Sequence, residues 1–179
     1  MKQPERVKKP DYLTSAQHYE CLFLNTAELR PLLPESFQLA FYAAECYLKD
    51  LAWDLVPAKT WDGIFPAREL RPSGLTGTHN IYQIALQLER ASDDFIFSDQ
   101  YARRLMDFFY RDRYPQPNRD RRSFKATEKD WNMALKCLDK VREACEHVRD
   151  MEILREQRLE EVVKDDIDEM DASFTYGHE

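Results

Sequence analysis

The residues best suited to chemistry in this 179-residue sequence gather around one turn, Arg113–Tyr114–Pro115. Proline pushes the residue before it out of the helical region, so the chain should leave a helix at Tyr114. Arginine there can grip a phosphate through two parallel hydrogen bonds, and tyrosine can stack on a base. Arg111, Arg119, Arg121 and Arg122 crowd the same stretch. The segment reads equally as a solvated arginine-rich loop in which Tyr114 plugs the end of a bundle. His79 stands at an expected helix start, where unpaired N–H groups make an anion site and the imidazole can add a hydrogen bond; it also reads as a packed or cap-region histidine. Glu45 and Lys49 are four residues apart in the order that favours a helical ion pair. They form either a surface pair worth about 0.3–0.5 kcal/mol or a site where Lys49 turns toward an anion.

Other chemistries lack their residues. There is no Gly-rich phosphate loop, HExxH helix, nucleophile elbow or paired His–Cys cluster, so neither metal nor cofactor is expected. Cys21, Cys46, Cys137 and Cys145 form no CxxC pair. Each falls in an expected helix, where a buried reduced thiol is the ordinary reading.

The net charge of −7 argues against a protein that coats DNA, but the charge is unevenly spread. From Arg103 to Lys125 eight basic residues face three acidic ones, and from Glu152 to Glu179 ten acidic residues face three basic ones. A basic segment followed by an acidic tail suggests an anion site, or a tail that competes for one. Nothing approaches the roughly 20 apolar residues needed to cross a bilayer, and the basic N-terminus lacks an apolar signal core. A cytosolic protein with no membrane association is the expectation.

These residues must be positioned by helices. Glycine is scarce, at 4, and charge is high, which favours an all-α fold. Residues 1–12 read as a flexible arm. A first helix is expected from Thr14–Ser15, whose hydroxyls can cap it, to the prolines Pro31 and Pro34. Pro34 should open a second, with Phe37, Ala40, Phe41, Ala44, Leu48, Leu51, Ala52 and Leu55 on one face. A long connection over 57–77 carries Trp61, Ile64, Phe65 and Leu70, which should pack it on the bundle. A third helix should run from about Thr78 to Ala91. A fourth, capped at Ser92–Asp93 and ending near Tyr110, should bury Phe95, Ile96, Tyr101, Leu105, Phe108 and Phe109. Thr127–Asp130 resembles a capping box opening the last helix. Trp131, Ala134, Leu138, Val141, Cys145 and Val148 then recur in steps of three and four. Glu152 and Arg155 break that seam, so docking should weaken past residue 150, with the helix reaching about Val163 and an acidic tail beyond. The expected architecture is an up-and-down antiparallel bundle of about five helices over 13–150, with a charged extension over 151–179.

Three segments carry a resemblance. Phe41–Lys49 is similar to an AAExxLK helix, Thr78–Ile81 to a THDL helix start, and Tyr110–Pro115 to a Y-x-x-RYP turn, in that order over roughly residues 13–150. Together they resemble the HEPN family of nucleotide- and RNA-associated helical bundles. Asn80 and Ile81 replace the family's Asp and Leu, and Gln116 replaces the acidic residue that often follows RYP. The resemblance implies a non-catalytic nucleotide- or RNA-binding domain of a toxin–antitoxin or defence-type system, using Arg111, Arg113, Tyr114, His79 and Lys49. It also implies a homodimer or a nucleotidyltransferase-type partner.

Some members of the family are metal-independent ribonucleases with an R-x4–6-H motif, and Arg142 to His147 matches it. In such a nuclease the arginine steadies phosphate charge and the histidine moves a proton at the ribose 2′-OH. Five helical steps, however, place the two side chains about 140° apart. They converge only if a dimer brings them together; otherwise they are solvated helix surface. A structural module that dimerises or docks a partner is the third reading.

Overall fold

The computed structural model describes residues 9–29, 32–33, 35–56, 80–113 and 126–175, with side chains described except at 110–113, 161–162 and 165–175. Among the described residues the chain is all α. Its five helices are α1 (Tyr12–Asn25), α2 (Ser36–Leu55), α3 (Ile81–Ala91), α4 (Asp99–Arg113) and α5 (Glu128–Thr175), with a 3-10 turn, Thr26–Glu28, after α1. The connection expected to pack through Trp61, Ile64, Phe65 and Leu70 lies outside the described residues.

Side-chain caps set most of the helix starts, and two differ from the sequence reading. Asp11 caps α1 by accepting from the Thr14 backbone N–H at 3.1 Å. The Ser15 hydroxyl, expected as a cap, instead donates to the Asp11 carbonyl at 2.9 Å. A carboxylate three residues ahead of Thr14 is the stronger acceptor at a helix N-terminus. Asn80 accepts from the Gln83 N–H at 3.2 Å, so α3 opens at Ile81. Thr127 and Asp130 cap each other reciprocally, each backbone N–H donating to the other side chain at 3.2 Å.

Ser92 and Asp93 do not open α4. The Ser92 hydroxyl accepts from the Asp94 N–H at 3.3 Å and turns the chain. Residues 95–98 then run without helix, and alternate residues face alternate sides. Phe95 and Phe97 are buried, while Ile96, expected in the core, is 80% exposed.

Helix α2 is the central post and packs against α1, α3, α4 and α5. Ala40, Ala43, Ala44 and Ala52 are completely buried along it, and small side chains there let neighbouring helices approach. From α4, Phe108 and Phe109 stack on Phe37 and Phe41 with ring centroids 4.8 and 4.0 Å apart. Helix α1 runs antiparallel to α2: Tyr12 meets Trp53 at 6.5 Å and Tyr19 meets Tyr42 at 5.5 Å. Phe23 of α1 also stacks on Trp131 of α5 at 5.0 Å.

The seam of α5 is buried as its spacing requires, at Ala134, Leu138, Val141, Cys145 and Val148. Past residue 150 burial falls, and Ile153 and Leu154 are 52% and 46% exposed. The helix nevertheless continues to Thr175, well beyond the expected end near Val163. No glycine or proline interrupts residues 128–175, so loss of docking does not end the helix. Its 48 residues make a rod of roughly 72 Å, about half of it past the body.

Candidate functional site

The first half of α5 carries a polar network that faces α1 and α2. Arg142 donates through Nη1 to Glu20 Oε1 of α1 and through Nη2 to Asp139 Oδ1 at 2.9 Å. The Tyr47 hydroxyl of α2 donates to the other Glu20 oxygen at 2.5 Å. Glu20 is only 7% exposed, so these two donors replace the water it loses. Burial and the Glu20 hydrogen bond push the Tyr47 phenol well up, which keeps it a donor. Arg142 is therefore not the solvated residue that a lone motif suggested. His147 is exposed on the outer surface of the same helix. The two residues of the R-x4-H match do not converge within one chain.

About two turns further along α5, Arg149 pairs with Asp50 of α2. Lys9 reaches the other Asp50 oxygen at 3.1 Å and Asp54 at 2.6 Å, which ties the start of the described chain to the end of α2. Arg142 and Arg149 are seven residues apart, so they occupy one side of the helix. That spacing was visible in the sequence, but their acidic partners on α1 and α2 were not, because pairing across helices leaves no local pattern.

Glu45 and Lys49 also depart from expectation. They form an ion pair at 2.8 Å, yet their side chains are only 6% and 5% exposed. The pair is buried in the bundle beside Asp50. Lys49 thus holds a carboxylate at a buried position and not at the surface. Arg111 and Arg113 fall in the last turn of α4, but their side chains lie outside the described ones, as do residues His79 and Tyr114.

Surface cations do collect where α4 and α5 adjoin. Arg104 on α4 and Lys129 and Lys136 on α5 are exposed. Arg104 and Lys136 lie close enough that both favour ionisation of the Cys137 thiol, though burial outweighs them. The Arg104 guanidinium sits over the Phe108 ring at 5.2 Å and the Arg103 guanidinium over the Tyr82 ring at 4.4 Å. Among the described residues, no cluster of His, Cys, Asp and Glu could hold a metal ion, and no helix is long and apolar enough to cross a membrane.

Three of the four cysteines, Cys46, Cys137 and Cys145, hold their thiols protonated by burial. Burial pushes the Cys137 thiol up to about 11 and the Cys145 and Cys46 thiols up to about 12, and Cys21 is exposed rather than buried. A thiol that keeps its proton in the folded state but loses it near pH 9 when unfolded withdraws stability as pH rises through that window. For Cys137 and Cys145, the two fully buried thiols, the fall should reach at most about 2.7 kcal/mol per pH unit near pH 10. Urea midpoints at pH 8 and pH 10 measure this. A Cys137→Ala/Cys145→Ala variant should show a flatter pH dependence, and an unchanged slope would remove the thiols as its cause.

With this geometry in hand, the chain was compared with protein-family models, curated proteins and solved structures, and none matches.

Proposed function

We propose that this protein is a non-catalytic, HEPN-like helical domain that binds an anionic ligand, a nucleotide or short RNA, at the arginine-rich corner between α4 and α5. The observation that carries this reading is the exposed set Arg104, Lys129 and Lys136 on the two helices that the basic stretch connects. That stretch leaves α4 at Arg113 and re-enters helix at Glu128, so it joins the two helices that carry those cations. Phosphate contacts give affinity through charge, and Tyr114 adds a surface for stacking. The non-catalytic part of the reading is supported by Arg142, whose guanidinium is engaged by Glu20 and Asp139. A place in a toxin–antitoxin or defence-type system, beside a nucleotidyltransferase-type partner, follows from the resemblance and belongs to this same proposal.

Fluorescence anisotropy with labelled nucleotides and short RNAs at low salt tests it. Arg113→Ala should weaken binding by about tenfold and reduce the salt slope by roughly one counterion. Absent binding, or binding indifferent to Arg113, would sink the proposal. Cleavage of the RNA in EDTA that His147→Ala abolishes would replace it with the nuclease reading.

A further inference from the structure

The distal half of α5 is a second surface, independent of the anion-binding corner. Arg155 reaches Asp94 at 2.7 Å, and there the helix leaves the body. Beyond it Leu159 and Val163 are 65% and 56% exposed, with Glu160 and Lys164 exposed beside them. The positions of Leu159, Val163, Ile167, Met170 and Phe174 recur in steps of four, four, three and four. On a regular helix they fall within about 80° of one another. This is the same side of α5 that buries Val141, Cys145 and Val148 in the body. The core-facing stripe therefore resumes at a point where, among the described residues, Leu159 and Val163 are left exposed.

Charge decides what covers that stripe. Residues 151–175 hold nine acidic and three basic side chains, a net charge of −6. By helical position, Glu160 and Asp171 border one edge of the stripe and Asp166 the other. In helix pairing the residues flanking an apolar seam select the partner. Two copies of this segment joined along their stripes would set acid against acid, and like charges brought together at an interface cost several kcal/mol. Acidic pairs four apart, at 156/160, 161/165 and 165/169, also weaken the isolated helix. A short isolated helix is marginal in water to begin with. We propose that the segment past Arg155 is a docking strip for a cationic amphipathic helix of another protein, one with an apolar stripe edged by lysine or arginine. Such a helix would bury Leu159 and Val163 and relieve the repulsion in one step.

A synthetic helical peptide with leucine at the seam and lysine at the flanking positions tests this against the full chain, by anisotropy at moderate salt. It should bind about tenfold or more tightly than a scrambled peptide of the same composition, because only the ordered one presents a stripe. Leu159→Asp/Val163→Asp should abolish the difference while leaving the thermal unfolding of the body unchanged. Arg113→Ala should leave peptide binding intact, which separates this surface from the anion site. Equal binding of the scrambled peptide would overturn the proposal by reducing it to bulk charge. So would peptide binding that survives the double substitution. A wild-type dimer that the double substitution dissociates would also overturn it, since a second copy would then be the occupant.

Discussion

Replacing Arg142 with alanine should lower the unfolding free energy by about 3 kcal/mol. The loss arises from Glu20, whose side chain is 10% exposed and would lose its partner cation. The figure sits at the low end for broken buried pairs for two reasons. Tyr47 still donates to Glu20, and Arg142 itself is one-third exposed. His147→Ala, at an exposed position five residues on, should shift stability by no more than about 0.5 kcal/mol. Urea denaturation followed by circular dichroism separates the two outcomes. Glu20→Gln combined with Arg142→Met should recover most of the loss, because it removes the stranded charge rather than one side of the pair. If Arg142→Ala were as harmless as His147→Ala, the network would not stabilise the fold. The consequence for function is direct. A nuclease assay that reads loss of activity in an Arg142 variant would be measuring partial unfolding, so His147 is the informative substitution.

The helices were legible where apolar spacing was strict. The seam of α5 is legible nearly residue for residue because burial on one side imposes the period directly, whereas α2 buries Ala43, Tyr47, Glu45, Lys49 and Asp50 beyond its expected face because helices pack around it. The Thr127–Asp130 box is legible because both of its partners lie within one turn of sequence, whereas the third helix, expected from about Thr78, opens at Ile81 with Asn80 as its cap. The misreadings share a cause. The spacing of Phe95, Ile96 and Tyr101 predicts a helix, yet residues 95–98 run without one, with Phe95 and Phe97 buried and Ile96 exposed. Short apolar runs do not distinguish the two periods. Glu152 and Arg155 break the seam and predict an end near Val163, whereas the helix continues to Thr175 because no glycine or proline interrupts it. At the candidate sites, charge type was legible and burial was not. The i,i+4 pairing of Lys49 with Glu45 is legible in the spacing but its burial is not, and the pairing of Arg142 with Glu20 arises only from packing between helices.

Glu45→Ala should be still more damaging, at about 3–5 kcal/mol. Lys49 lies within the packed turn of α2, and its ammonium is 2.8 Å from Glu45. Without that counter-charge a buried amine must either stay charged in an apolar setting or give up its proton, and both cost folding free energy. Glu45→Leu together with Lys49→Met should be neutral or even stabilising, since well-packed apolar residues avoid the desolvation of both ions. The comparison reads the role of the pair. A double variant as unstable as Glu45→Ala would mean the ions specify the packing of α2 and do more than neutralise each other. A double variant that is stable yet binds labelled RNA as tightly as the parent would place Lys49 wholly outside the anion site. That result would narrow the proposed ligand site to the corner between α4 and α5, where Arg113→Ala is the direct test.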